Sequence, residues 1–542
     1  KKETIENCIY AVDVELSAVD ITKLRLWLSL IVDYPNNCEP KPLPNLDCKI
    51  MQGNSLVDEY EGISLFSERL FKNAQRKNAA KVNEEVDKVY IQQTITFDGE
   101  ININDYIEKM LELQKQYFGL TDNNSKKELK RKIDSIQTTI IELSLNNDIN
   151  KLNKFRSISQ KRQKPWFVWK LEFYDVFKEK GGFDIVIGNP PYVDYRKIDN
   201  VTKNYLDRNS YCYKNVKTAS LYVYFIEKGL SLCNSNGSLI YINPYQYLSA
   251  GSGIGLRRFI FNNNISINKL IDVSNIRVFS SAQTYTCINM FSYTTHKQIK
   301  FYRPEDINNL EFNYKDLDYI KYKNNNEHKI ILNTNPIIEK LECVNTRLGD
   351  YVKIFCGLSM TGMGKKTVLE EEIPLERRNY YVPFITTKDF DRNTYVITKY
   401  IDKKFYSPDV QNEFEKSEHI FIGRMTKKIR ANILPKGIYC GKVNCIYNTL
   451  LSKKYIVSFL NSNLINYYYL IKNESKHQDG GYFGMDIPSL LDIPFIVNSS
   501  LINTFEKLYD EGNYNEINKA IFNLFNINDD EQKIIDDFVD KI

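Results

Sequence analysis

Histidine is scarce in this chain of 542 residues: His296, His328, His419 and His477 are the full set, and no two lie close together. A histidine metal site or a histidine-centred triad is therefore not expected, and no metal is assigned. The ten cysteines include no C-x-x-C pair, and Cys440 and Cys445 have four residues between them. Neither a zinc site nor a disulfide framework is indicated. Free thiols suit a reducing cytosol, so a cytoplasmic location is expected. No run reaches the roughly 18 apolar residues that a membrane span needs. The longest candidate, Leu24 to Val32, is short and contains Arg25. No positive-then-apolar leader precedes it. A strong charge imbalance is missing too: 73 Lys and Arg stand against 68 Asp and Glu, for a net +5. That balance neither demands nor forbids a polyanionic partner, because a basic face must be offset elsewhere.

What is present suits a globular protein, with 42% hydrophobic and 26% charged residues. The length calls for two to four domains. Cys8 to Val14 reads as a buried strand ending in an acid. Leu16 to Val32 reads as a helix with Ala18, Ile21, Leu24, Leu28 and Ile31 on its buried stripe. Cys48 to Gln52 is a second strand closed by Gly53-Asn54, so residues 1–67 open a parallel α/β sheet. Residues 68–165 carry long helical periodicity: Tyr106, Met110, Leu113, Tyr117, then Ile133, Ile136, Ile140, Leu143. Two readings stay open for this insertion. One is a helical hairpin with solvated faces; the other is a DNA-facing arm built on Lys126, Lys127, Lys130, Arg131 and Lys132. The sheet pattern resumes over residues 166–300. Residues 301–346 read as a polar connector, 347–500 as a second domain of short strands and turns, and 501–542 as a helical tail.

The most informative residues are Asn189-Pro190-Pro191-Tyr192, directly after the apolar string Phe183 to Ile187 and Gly188. Such a turn lies at the carboxyl edge of a parallel sheet, where α/β proteins bind ligands. Two prolines stiffen the loop and remove two N–H donors. The Asn189 side-chain oxygen and the Pro190 carbonyl remain as acceptors. Together they test for an NH₂ group on a planar ring, one hydrogen to each. Tyr192 adds a π-face for that ring. The bland reading is a proline turn at a strand end.

This stretch resembles the amino-group methyltransferases, whose fourth motif is (D/N)-P-P-(Y/F/W). The Asn form with a long downstream domain is similar to adenine-N6 DNA methyltransferases of the gamma arrangement. Eco57I-like and TaqI-like restriction–modification enzymes are the neighbouring group. The resemblance implies a Rossmann-like α/β sheet that binds S-adenosylmethionine. Ala11-Val12-Asp13 matches the family's second motif, which implies that Asp13 accepts from the cofactor's ribose and that Val14 lines its adenine. Gly53-Asn54-Ser55-Leu56 matches the third motif, which places Asn54 and Ser55 at the cofactor's adenine. Arg277-Val278-Phe279 matches the eighth, so Phe279 and Tyr192 are expected to sandwich a flipped adenine. Asn243-Pro244-Tyr245 is not a second catalytic motif, since a lone proline cannot make the same acceptor pair.

One family motif has no counterpart, the Gly-rich turn that contacts the methionine part of the cofactor. Only twelve residues precede Asp13, and none form such a turn. The methyltransferase sheet is accordingly expected to be truncated at its amino end, in line with a chain that starts at Lys1. Leu348 to Pro494 resembles the TaqI-like C-terminal specificity domain. Lys388, Arg424, Lys427, Lys428 and Arg430 are its candidate DNA contacts. Gly362 to Thr367 fails the spacing of a phosphate-binding loop. The Tyr467-Tyr468-Tyr469 run reads as helix packing. The resemblance thus implies a site-specific adenine-N6 methyltransferase acting on double-stranded DNA, as the modification part of a restriction–modification or phage-defence system. No P-D-(D/E)-x-K pattern is present, so a nuclease is expected only outside this chain. Two rivals stay open: a specificity module that does not bind the cofactor, and an N-P-P-Y methyltransferase for RNA or protein glutamine.

Overall fold

The computed structural model describes residues 1–32, 46–60, 63–65, 103–120, 122–144, 150, 152–153, 155–156, 165–274, 276, 278, 286–294, 296–304, 306, 313–323, 327–332, 335–358, 366–447, 449–474, 477–478 and 481–542. It divides into two compact units. The first comprises Lys1–Asn243, Gly255–Leu270 and Ile288–Lys300. The second comprises Pro244–Ile254, Ile271–Cys287 and Phe301–Ile542.

In the first unit, a helix at Lys2–Cys8 leads into β1 (Ala11–Asp13). The helix Leu16–Ile31 follows, and then β2 (Ile50–Gln52). β1 and β2 pair in parallel, with Ala11 opposite Ile50 and Asp13 opposite Gln52. The strand expected from Cys8 to Val14 is therefore shorter, because Cys8 closes a helix whose Ile5 is buried. The helix Leu16–Ile31 buries a different face from the expected one. Val19 is enclosed, and Leu26 and Leu30 pack with Ile5, Leu46 and Ile50. Ile21, Leu24 and Leu28 are 53%, 50% and 46% exposed. Apolar residues occur on two faces of this helix, so periodicity alone could not choose between them.

A two-residue hairpin follows, β3 (Glu59–Tyr60) with β4 (Ile63–Ser64). The insertion holds two neighbouring helices, Ile103–Gly119 and Asn123–Ser144. Of the expected stripes, Met110, Tyr117, Ile133 and Ile140 are buried, and Tyr106, Leu113, Ile136 and Leu143 are half-buried; Ile107, outside them, is buried as well. Within the basic run, Lys130 pairs with Asp134 at 3.1 Å and Lys132 with Glu128 at 2.7 Å. Burial opposes the charge of Lys130, but Cys48, Asp134 and Glu172 outweigh it, and its ammonium sits above the usual range.

The helix Tyr174–Lys180 ends on Gly181, whose φ of +77° turns the chain without the penalty a side chain would meet. β5 (Phe183–Gly188) then runs parallel to β6 (Cys233–Pro244), with Ile187 opposite Ile240. Between them lie the helices Asn200–Asn209, capped by Asp199, and Leu221–Leu232. β7 (Ser266–Asp272), β8 (Thr286–Ser292), β9 (Gln298–Tyr302) and β10 (Lys315–Asp318) complete a sheet of order β10-β9-β7-β8-β6-β5. β1 and β2 form a separate two-stranded sheet. The fold is α/β and Rossmann-like with a separate mixed domain, as the sequence implied. Residues 301–346 correct an expectation. They are no bare connector, since they carry β10, the helix Tyr319–Lys323 and the helix Pro336–Glu342. Their polar surface residues hide Leu317, Ile337, Ile338 and Leu341, which are buried.

The second unit carries β11 (Lys353–Cys356), β12 (Thr367–Val368), β13 (Tyr381–Ile385), β14 (Lys399–Asp402), β15 (His419–Gly423), β16 (Met425–Thr426), β17 (Ala431–Leu434), β18 (Tyr439–Cys440), β19 (Val443–Tyr447), β20 (His477–Gln478) and β21 (Tyr482–Gly484). They form sheets of order β11-β19-β15-β17, β12-β14-β13-β18 and β16-β21-β20. One core runs from Ile337 to Val539 and takes in the helices Lys453–Asn461, Asn463–Lys472, Ile502–Asp510, Tyr514–Leu524 and Asp529–Asp540. Tyr467, Tyr468 and Tyr469 are buried in it, which is the packing role expected of that run.

Candidate active site

β5 delivers Asn189-Pro190-Pro191-Tyr192 at its carboxyl end. Asn189 is exposed, and its side chain makes no hydrogen bond among the described residues. Pro190 is buried and Pro191 is exposed. The Tyr192 hydroxyl donates to the Ile242 carbonyl on β6 at 3.2 Å, and its ring meets Tyr222 edge-on at 6.5 Å. The Leu221 N–H donates to the Val193 carbonyl at 2.8 Å, tying the turn to the next long helix. Arg196 forks onto Asp194 at 2.8 and 3.0 Å. Its guanidinium, then its backbone N–H, hold the Asp194 carboxyl down to about 2. Behind Tyr192, at the end of β6, Asn289 donates to the Asn243 side chain at 2.9 Å, with both residues fully buried. The turn is thus anchored at its aromatic end and open at its amide end.

The second group of residues sits at the ends of β1 and β2. Asp13 is exposed; one carboxylate oxygen accepts from the Glu15 N–H at 2.8 Å. Its other oxygen has no partner among the described residues. Val14 is 55% exposed, and its carbonyl accepts from Gln52 at 3.0 Å. The Gly53 N–H donates to the Asp13 carbonyl at 2.9 Å, which sets the Asn54 turn beside Asp13. Asn54 accepts from the Leu56 N–H at 3.1 Å and stays half-exposed. An acid and an amide therefore stand side by side at the carboxyl end of two parallel strands. An exposed carboxylate there suits vicinal hydroxyls, and the adjacent amide suits the edge of a heterocycle.

Phe279 lies outside the described residues. In the second unit, the five basic candidates fall on two adjoining turns. The Arg424 N–H donates to the Thr387 hydroxyl at 3.2 Å, and Arg430 donates to the Thr387 carbonyl at 3.3 Å. Lys388 is the next residue and is exposed. The Arg424 guanidinium turns to the Cys356 thiol at 2.9 Å, while Lys427 is exposed and reaches the Ile542 carbonyl at 3.3 Å. Burial, then repulsion from Arg392, lowers the pKa of Lys428. The sequence reading missed the support of the Asn54 turn. Trp169 and Phe167 bond to it, and Tyr205 and Lys228 reach Asp58 just beyond it at 2.8 and 2.5 Å. Its available signal was that two of the three tryptophans, Trp166 and Trp169, fall within four residues.

Two family profiles match this chain. That of the Eco57I restriction-modification methylase covers residues 7–279, and that of the TaqI-like C-terminal specificity domain covers 367–495. RM.MjaORFECS2P of Methanocaldococcus jannaschii is 25% identical over 565 residues, spanning 93% of this chain and 46% of that protein. The type II restriction enzyme and methyltransferase RM.Eco57I of Escherichia coli is 32% identical over 125 residues, which is 23% of this chain and 12% of that protein. The chain thus spans less than half the length of either relative. Among solved structures, the type IIL restriction-modification enzyme MmeI in complex with DNA aligns with a TM-score of 0.46 at 13% identity, over 72% of this chain and 61% of that one.

Proposed function

This chain belongs to the Eco57I restriction-modification methylase family, and on that premise we propose that it methylates the N6 amino group of adenine in double-stranded DNA. The methyl donor is S-adenosylmethionine, and the setting is the modification arm of a restriction–modification system. The observation that carries this reading is the open amide of Asn189 on a proline-stiffened turn at the end of β5.

The residues at β1 and β2 fit the donor's nucleoside part. Asp13 offers a carboxylate oxygen, unpartnered among the described residues, for the ribose hydroxyls, and Asn54 retains a lone pair for the adenine amino group. Val14 and Ser55 flank that place on the same two turns. When bound, the donor supplies a methyl group activated by its sulfonium. The chain's own work is at the acceptor. Asn189 Oδ1 and the Pro190 carbonyl each take one hydrogen of the target amino group. Both are acceptors only towards it, so they draw the nitrogen towards a tetrahedral form and aim its lone pair. Tyr192, its hydroxyl bonded to Ile242, is the proposed ring for one face of the extruded base. Phe279 is the proposed ring for the opposite face. Neither Asn189 nor Pro190 is basic enough to keep the proton that the amino group releases after transfer, so it passes to solvent. Positioning and exclusion of water supply the rate. Lys388, Arg424, Lys427, Lys428 and Arg430 are the proposed DNA contacts of the second unit.

Asn189→Ala tests the reading. Loss of one positioned acceptor is expected to slow N6-methyladenine formation by about 10²–10³-fold, with the Kd for S-adenosylmethionine unchanged by calorimetry. Wild-type rates in Asn189→Ala would overturn it. Methylation of RNA or of a glutamine peptide in preference to duplex DNA would instead favour the other N-P-P-Y activities.

A further inference from the structure

The turn that carries Asn54 and Ser55 is not held by its own strand alone. Past Gly53, the Ser55 carbonyl accepts from the indole N–H of Trp169 at 2.9 Å. The Val57 carbonyl accepts from the Phe167 N–H at 2.8 Å. A Cβ at Gly53 would stand 2.8 Å from the Phe167 ring and 2.9 Å from the Trp166 carbonyl. The segment Trp166 to Trp169 therefore lies against the whole turn, and Trp169 grips the residue next to Asn54.

The same tryptophan reaches β5, and through a second ring the residue that precedes β1. Trp169 lies 5.7 Å from Phe173 and 5.9 Å from Phe183, centroid to centroid. Phe173, fully buried, lies 5.0 Å from Tyr10 and 6.0 Å from Phe183. Tyr10 also meets Phe183 at 5.6 Å. Tyr10 stands three residues before Asp13 on β1, and Phe183 opens β5, six residues before Asn189. One aromatic cluster thus touches the bases of the strands that end in Asp13 and Asn189, and Trp169 extends it to the Asn54 turn. A phenylalanine could fill the cluster at this place. Only an indole both packs there and donates to the turn.

We propose that Trp169 is a positioning residue for the methyl donor: its bond to the Ser55 carbonyl fixes the Asn54 amide against the donor's adenine. This rests on the role given to Asn54 above. Trp169 touches neither reacting atom, so its effect must appear in donor recognition and not in DNA binding.

The test pairs two variants, Trp169→Phe and Asn54→Ala, with two donors, S-adenosylmethionine and its 6-oxo analogue S-inosylmethionine. Kd values come from calorimetry on the protein as it occurs, with the Kd for duplex DNA and the melting temperature measured alongside. Trp169→Phe is expected to weaken S-adenosylmethionine about three- to tenfold, the worth of one hydrogen bond. It should weaken the 6-oxo analogue less than twofold, because that analogue lacks the amino group that Asn54 reads. DNA affinity should be unchanged. Amide exchange at Leu56, whose N–H bonds to the Asn54 side chain, should quicken in the ligand-free variant. Equal losses for both donors, or a parallel loss of DNA affinity, would show that Trp169 only packs, and the proposal would fail. Unchanged binding of both donors in Trp169→Phe would also overturn it, while leaving Asn54 as the adenine reader. If Asn54→Ala fails to lower the preference for S-adenosylmethionine over its analogue, the role of Asn54 falls and the proposal with it, an outcome read from a different variant.

Discussion

On the proposed reading, Tyr192 serves structure and chemistry through different atoms. Its hydroxyl donates to the Ile242 carbonyl, and its ring stands nearly perpendicular to that of Tyr222. Tyr192 itself is half-buried, between the exposed Pro191 and the half-buried Val193. Removing the hydroxyl and removing the ring should therefore have separable effects. Tyr192→Phe keeps the stacking face and is expected to hold kcat within about threefold, the cost of one weak hydrogen bond. Tyr192→Ala loses a base-stacking contact worth about 1–3 kcal/mol, which should raise the KM for DNA roughly 5- to 150-fold. Steady-state methylation of a duplex with a single target adenine checks both, and equal defects in the two variants would argue against stacking. The turn from Asn189 to Tyr192 at the end of β5 was legible in the sequence because a proline pair leaves few conformations. Trp169 was not, because its partner Ser55 is 114 residues away.

At the scale of elements, the turn after β2 is closely packed. Gly53 has no room for a side chain: its Cβ would fall within 3 Å of both Phe167 and Trp166. Trp166 and Phe167 are 4% and 3% exposed, so neither can swing away cheaply. Gly53→Ala is expected to destabilise the first unit by about 1–3 kcal/mol through overpacking, seen in urea melts. The second unit's transition should stay in place, since its core is its own. A neutral Gly53→Ala would mean that the Trp166 segment yields. The helix Leu16–Ile31 gives the complementary lesson. Its existence was legible from composition, but its buried face was not, because Val19, Leu26 and Leu30 compete with Ile21, Leu24 and Leu28. Burial there was decided by Ile5, Leu46 and Ile50, which no local window contains.

Across the whole molecule, the near-balance of charge conceals a local excess. Lys388, Lys427 and Lys428 sit on adjoining turns of the second unit, with Arg424 and Arg430 engaged beside them at Thr387. Burial, then repulsion from Arg392, opposes the charge of Lys428, and burial opposes that of Arg392 itself. Such a grouping is relieved by an anion. Replacing Lys388, Lys427 and Lys428 together with alanine is expected to lower the slope of log K against log salt for duplex DNA by about 2–3, near 0.9 for each phosphate no longer neutralised. Methylation of a saturating duplex should continue. An unchanged salt slope would place the DNA-binding surface elsewhere. Of the five candidates, Arg424 and Arg430 are the less suitable phosphate partners because Cys356, Asp391 and Thr387 already engage them.

By itself the sequence determined the α/β class and the family. Each of these rests on residues adjacent along the chain: a proline turn after an apolar strand, an acid at a strand end, a Gly-Asn turn. Tertiary structure alone decided which face of a helix is buried, that residues 301–346 supply a strand and core helices, and that Trp169 holds the Asn54 turn. The physical reason is the same in each case. A stiff backbone motif is written by its neighbours in sequence, whereas burial and the pairing of a lone N–H with a distant carbonyl depend on which surfaces meet after the chain has folded.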